Sequence, residues 1–226
     1  MKKIIQFFKD ALFPRRCMVC EKIIEPGKNF CEECKYNVQM LPLWYDIKRG
    51  ISITDIYFDD ISAPFLYENS AKDIMTNFKF HGMKENGEYL GEKMYEVFSA
   101  KYKDKFDGII YVPTTRKRYV ERGFNSAEVL AKYFSEYSKI PLLHNVLVRN
   151  NKSRTQHNLS YFERKQNAEI SYDLGKNPIG KGKYILIDDI CTSGFTLNYI
   201  CKLIKDSGAD KVICITACVS GNNSQK

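Results

Sequence analysis

The sequence predicts an α/β chain, a mostly parallel sheet flanked by helices, preceded by a small cysteine-rich unit. Two observations carry this expectation. From about residue 46 onward, strand-like and helix-like apolar runs alternate, which implies right-handed crossovers and a covered parallel sheet. The first 45 residues instead hold two pairs of closely spaced cysteines. At roughly 150 residues per domain, 226 residues make one full domain and a smaller unit, and the expected division is 1–45 and 46–226. Hydrophobic residues make up 44% of the chain, so a sizeable core is available and wholly disordered readings fail. The formal charge of +8 favours an anionic partner: phosphates, nucleic acid or a membrane surface.

The chain opens with MKKIIQFFKDALFPRR. Ile4, Ile5, Phe8, Ala11 and Leu12 fall at helical spacing and Pro14 ends the pattern, so a short amphipathic helix is expected. Lys9 and Asp10 interrupt the apolar stretch and no small-residue cleavage site follows, which argues against a signal peptide. No apolar run reaches the ~18 residues of a membrane-spanning helix. The expected location is the cytoplasm, with peripheral contact at the inner face of the membrane left open.

Eight cysteines without an export signal argue against a disulfide framework. Cys17-Met-Val-Cys20 and Cys31-Glu-Glu-Cys34 are two CxxC knuckles, a spacing that turns four thiolates towards one tetrahedral ion. Cys17, Cys20, Cys31 and Cys34 are therefore expected to bind zinc. Pro26-Gly27 marks a turn between the knuckles, so the unit reads as a zinc ribbon with two short strands. With every ligand a thiolate and no open position, the zinc is structural. Cys191, Cys201, Cys214 and Cys218 lack this spacing and are expected to pack as small hydrophobes.

Beyond the ribbon, Phe65–Tyr67 reads as a strand, followed by two helices bearing Ile74, Met75 and Phe78, then Leu90, Met94, Val97 and Phe98. Gly108–Val112 reads as a buried strand, and Asn125-Ser-Ala-Glu128 as a capping box opening a helix with Ala127, Leu130, Ala131 and Phe134 on its apolar face. Further strands are expected at Leu142–Val148, Tyr184–Asp188 and Lys211–Ala217, with a helix from Thr196 to about Lys205 closed by Gly208. Gly175–Gly182 imitates a Walker A loop, but Gly182 stands where a metal-binding hydroxyl is needed and the segment precedes a strand.

The chemistry concentrates in Tyr184-Ile-Leu-Ile-Asp-Asp-Ile-Cys-Thr-Ser-Gly-Phe-Thr196. An apolar strand ends in Asp188 and Asp189, and the loop Cys191, Thr192, Ser193, Gly194, Phe195, Thr196 then opens a helix. Ligands of open α/β sheets bind at the carboxyl ends of strands. Backbone N–H groups and hydroxyls at a positive helix end cradle a phosphate. Two carboxylates would repel that phosphate, so they need another ligand group, and ribose hydroxyls with a magnesium ion satisfy them. A second segment places Thr114, Thr115, Arg116, Lys117, Arg118 and Arg122 just past another strand, where a basic loop could stabilise a departing pyrophosphate. Residues 114–167 hold eleven Lys or Arg against four Glu and no Asp, a balance of +7 out of the chain's +8. A polar basic loop, Arg149–Asn167, carries Lys152 and Arg154.

The strand, acid pair and Thr-Gly-type loop resemble the phosphoribosyltransferase signature that binds phosphoribosyl pyrophosphate (PRPP). With the double CxxC, Phe78-Lys-Phe-His-Gly82, Arg122-Gly-Phe-Asn125, Gln156-x-x-Leu159 and Arg164-x-x-Asn167, nearly the whole chain resembles the ComF family of competence-related proteins. The resemblance implies a type I phosphoribosyltransferase fold with a zinc ribbon, a mobile loop delivering Lys152 or Arg154 over Mg2+-bound PRPP, and a link to DNA uptake beside a helicase-like ComF translocase. It implies pentosyl transfer or cleavage at the anomeric carbon of PRPP. The alternative is a non-catalytic module binding single-stranded DNA and a partner, with Arg118-Tyr119 and Arg122-Gly-Phe124 stacking bases. The chain departs from the family at Ser126, where glutamine is expected, and at Ser193 and Phe195, where small residues are commoner.

Overall fold

The computed structural model describes residues 14–51, 53–81, 83, 86–150 and 171–221. The expected N-terminal helix and the loop with Lys152 and Arg154 lie outside them. In chain order the elements are β1 (Asp60–Ser62), β2 (Phe65–Leu66), α1 (Asn69–Phe80), α2 (Asn86–Lys101), β3 (Gly108–Tyr111), α3 (Arg116–Arg122), α4 (Ser126–Ser138), β4 (Leu147–Arg149), β5 (Tyr172–Leu174), β6 (Lys183–Cys191), α5 (Phe195–Asp206) and β7 (Lys211–Val219). The main sheet runs β1-β7-β6-β3 with every pairing parallel, and β2 also pairs with β7.

Side-chain alternation along the central strands divides the core into two layers. Ile185 and Ile187 of β6, with Ile213, Ile215 and Ala217 of β7, face α1, α2 and α4. Tyr184, Leu186, Val212 and Cys214 face the other way, towards Leu197, Ile200, Cys201 and Ile204 of α5. Both faces are covered, as a parallel sheet requires. Cys191, Cys201, Cys214 and Cys218 are all buried within these layers, as expected for small apolar side chains.

β1 and β2 are one edge strand interrupted. Ser62 pairs with Ile215 and Phe65 with Cys218, so the register is unbroken across Ala63 and Pro64. Proline has no N–H for the ladder, which confines it to edges. The Pro64 carbonyl accepts from the Leu41 N–H at 2.7 Å, tying the segment after the ribbon to the sheet edge.

Four expectations need correction. The strand expected at Leu142–Val148 is split: Leu142 forms an isolated parallel bridge to Ile109, Asn145 takes φ of 60° and turns the chain, and β4 pairs antiparallel with β5. Among the described residues the ribbon holds no full strand, only an antiparallel bridge between Arg16 and Ile23, because the knuckles take up the chain on either side. The basic loop after β3 is a short helix, α3, capped by Thr115 Oγ1 accepting from the Arg118 N–H and ended by Gly123 at φ of 77°. The helix expected from Asn125 does form, with the Asn125 side chain accepting from the Ala127 N–H. Glu128 does not close the box; its carboxylate accepts from the Tyr111 hydroxyl at 3.3 Å.

Phe134 is fully buried beneath Tyr95 and Phe98, with ring centroids 6.1 Å and 5.3 Å away. Phe134→Ala is expected to cost about 3–5 kcal/mol in denaturant unfolding followed by circular dichroism.

Candidate functional site

The four knuckle thiols converge. Their Sγ atoms all lie within 4.8 Å of one another, and Cys20 and Cys31 are 3.7 Å apart. A tetrahedron with zinc–sulfur bonds of about 2.3 Å has edges of about 3.8 Å, so the thiols already stand at ligand spacing. Local backbone explains this: the Cys17 N–H donates to Lys22 O at 2.8 Å, and the Cys34 and Lys35 N–H groups both donate to Cys31 O at 3.1 Å. Burial opposes ionisation of Cys17, yet backbone N–H groups of Cys20, Cys31 and Val19 turned towards its sulfur bring its pKa down to about 7. Donors aimed at a thiolate suit a sulfur that ligates a metal.

At the carboxyl end of β6, Asp188 and Asp189 divide. Asp189 Oδ2 pairs with the Lys79 ammonium of α1 at 2.8 Å and accepts from the Ser126 hydroxyl at the start of α4. Ser126 in turn lies 3.5 Å from Arg122 Nη1, and the Arg122 guanidinium sits 4.7 Å above the Phe80 ring. Burial opposes ionisation of Asp189, but Lys79, Ser126 and Arg122 outweigh it and hold the carboxyl below its ordinary range. Asp188 has no such company. Burial and the neighbouring Asp189 charge push its pKa up, with Lys79 and Arg149 only partly compensating. Its Oδ1 accepts from the Asp189 N–H at 2.8 Å, and among the described residues its Oδ2 accepts no hydrogen bond. Adjacent acids with pKa values pushed apart in a cleft make a candidate site.

The loop after the acids presents a helix end. Gly194 is the N-cap of α5, at φ of 81°, with no side-chain cap, so the first N–H groups of a twelve-residue helix lack an internal acceptor. A side chain at Gly194 would meet the Ile51 side chain at 3.1 Å, and the left-handed backbone favours glycine there. Phe195 is buried. Thr192 is exposed, and Ser193 and Thr196 are half-buried, beside this helix end. Asn198 fixes the covering segment by accepting from the Tyr57 N–H at 2.7 Å and donating to Asp55 O at 2.8 Å.

Of the expected basic residues that are described, only Arg122 lies at the acids; Arg116, Lys117 and Arg118 stand exposed on α3, none of whose residues is buried. Thr114 and Thr115 are half-buried where β3 leads into α3. Lys79, Ser126 and Arg149 are additional site residues. The Arg149 guanidinium lies 4.9 Å above the Tyr172 ring and donates to the Tyr172 hydroxyl at 2.5 Å.

Residues 121–226 match the phosphoribosyl transferase domain family and residues 8–42 the double zinc ribbon domain family. Competence protein F of Haemophilus influenzae is 35% identical over 217 residues, covering 88% of this chain and 95% of that protein. The chain belongs to the competence protein F family. Within the family, competence protein ComFC of Bacillus subtilis is 30% identical over 145 residues, covering 64% of this chain and 57% of that protein. The DNA utilization protein YhgH of Escherichia coli K12 is 24% identical over 211 residues, covering 87% and 86%. A zinc ribbon and a phosphoribosyltransferase-type domain on a parallel sheet are thus the family's architecture in this chain. No helix among the described residues is long and apolar enough to cross a membrane.

Two measurements probe the site. Zinc content by atomic absorption is expected at one ion per chain, falling well below that in Cys31→Ser. In magnesium-free buffer, Asp188→Asn is expected to stabilise the protein at neutral pH by about 1–3 kcal/mol. The sign follows from the raised pKa: below the ordinary carboxyl value of about 4, Asp188 is protonated both folded and unfolded and the variant is neutral. As pH rises, the unfolded wild type gains from ionising and the folded state does not, so the difference opens. Thermal melts from pH 4 to 8 read it directly.

Proposed function

We propose that the acid pair, the loop at the start of α5 and Arg122 form a PRPP site, at which a nucleophile displaces pyrophosphate from the anomeric carbon. The supporting observation is the uncapped N-terminus of α5 directly after two adjacent carboxylates whose charges are unequally compensated. The backbone of Cys191–Thr196, with the hydroxyls of Thr192, Ser193 and Thr196, takes the 5-phosphate. Asp188 takes ribose hydroxyls, while Asp189 is already committed to Lys79 and Ser126. Thr114, Thr115, Arg116, Arg118 and Arg122 form the basic rim for pyrophosphate, while Lys152 and Arg154 lie outside the described residues.

The donor set suits magnesium: Asp188 offers a hard carboxylate oxygen, and Mg2+ binds through one or two carboxylates plus substrate phosphates. Bound with PRPP, such an ion would neutralise charge on the pyrophosphate. The chain's own share is positioning and fixed electrostatics. The division into 1–45 and 46–226 assigns metal binding to the first part and PRPP to the second.

A second reading is favoured by α3 and Phe80. Tyr119 is 51% and Phe80 59% exposed, next to Arg116, Lys117, Arg118 and Arg122, a pattern that stacks bases and holds backbone phosphates of single-stranded DNA. Phe124 takes no part, because it is buried against Phe78 with ring centroids 5.3 Å apart. Relatives named for competence and DNA utilization support a place in DNA uptake; a helicase-like translocase as partner belongs to the proposal and not to those names. Arg116, Arg118 and Arg122 of α3 serve both readings, so where both hold, PRPP competes with DNA for this helix and displaces it.

Calorimetry with Mg2+ and PRPP is expected to show saturable binding that Asp188→Ala/Asp189→Ala abolishes. Absence of binding by folded, zinc-loaded wild type overturns the enzyme reading and leaves DNA binding, which must weaken steeply with salt.

A further inference from the structure

The last turns of α1 touch both centres. Asn77, 4% exposed, donates from Nδ2 to the carbonyls of Met18 at 3.0 Å and Val19 at 3.1 Å, the two residues between Cys17 and Cys20. Lys79, 9% exposed, reaches Asp189. His81 Nδ1 lies 2.6 Å from a carboxylate oxygen of Glu21, the residue after Cys20. On a helix, positions i and i+4 share a face while i+2 points away. The end of α1 is therefore a wedge with Asn77 and His81 on the ribbon and Lys79 on the acid pair. Phe78, fully buried against Phe124, keeps the wedge from turning.

We propose that the first cysteine knuckle, closed on its metal, positions Lys79 against Asp189 through Asn77, so that metal binding in the ribbon and PRPP binding at the acid pair are coupled. The proposal rests on the PRPP reading above. An ion shared by Cys17 and Cys20 would fix the direction of the Met18 and Val19 carbonyls between them, and a buried amide that loses both acceptors must move to find others. Movement of α1 draws the Lys79 ammonium from Asp189, and a short ion pair at low dielectric weakens quickly with distance. Asp189 then adds negative charge beside an anionic ligand. Asn77 and Lys79 are positioning residues in this scheme. Coupling of binding equilibria is reciprocal, so PRPP must tighten the hold on zinc.

The test uses full-length, zinc-loaded protein in equilibrium competition with a chromogenic zinc chelator, with and without saturating PRPP and Mg2+. PRPP is expected to raise the apparent zinc affinity of wild type about tenfold, within the usual range for coupled sites, and to leave it unchanged in Asn77→Leu and in Lys79→Met. By calorimetry each substitution lowers PRPP affinity, and the double variant falls no further than the weaker single one, whereas independent structural damage would multiply. The wild-type competition requires no substitution and stands even where a variant fails to fold. Wild type that binds PRPP yet partitions zinc identically with and without it overturns the coupling alone. Wild type that binds no PRPP overturns the functional reading beneath it.

Discussion

Two carboxylates on consecutive residues at the end of a buried strand set the terms for everything around them. Their mutual repulsion must be relieved before the sheet can close over them. The chain relieves it on one side only: Asp189 receives an ammonium, a hydroxyl and a nearby guanidinium, from α1, α4 and α3 respectively. Asp188 is left with an ionisation that folding disfavours. The helices covering one face of the sheet are thus placed by electrostatics as well as by their apolar stripes. A ligand that supplies positive charge or hydroxyl donors to Asp188 completes what folding leaves undone.

Much of this could be read from the sequence, for identifiable reasons. β6 and β7 are apolar runs buried on both faces, so their residues announce them. The knuckle spacing and the acid pair are local patterns that depend on no distant residue. Lys79 stands out in the sequence only as part of a motif, since its partner lies on a strand far along the chain and one lysine in an amphipathic helix reads as solvated. Ser126 lies 63 residues from Asp189, and the contact follows from packing that periodicity does not encode. The α3 segment, Arg-Lys-Arg-Tyr-Val-Glu-Arg, buries nothing, so it has no apolar stripe to betray a helix. The split near Asn145 turns on a left-handed backbone that an apolar run conceals.

The ribbon does more than append a metal to the fold. Met18 enters the core layer beneath α1 and α2, while Val19, Phe30 and Val38 pack at its margin. Leu41 and Tyr45 pack against the opposite layer. A unit too small for a core of its own borrows apolar surface from both sides of the sheet.

The interrupted edge strand has a consequence for how the protein behaves in a crowded solution. A long edge with free N–H and C=O groups is a template on which a second chain can add a strand. Here Pro64 deletes a donor midway, its carbonyl is already bonded to Leu41, and the pieces on either side are three and two residues long. Lys101 and Lys48 flank Asp60 on the outer piece, adding charge where an incoming strand would need an apolar match. That margin is blunted against intermolecular β-pairing, so self-association of the folded protein through it is suppressed by the same proline that divides the strand.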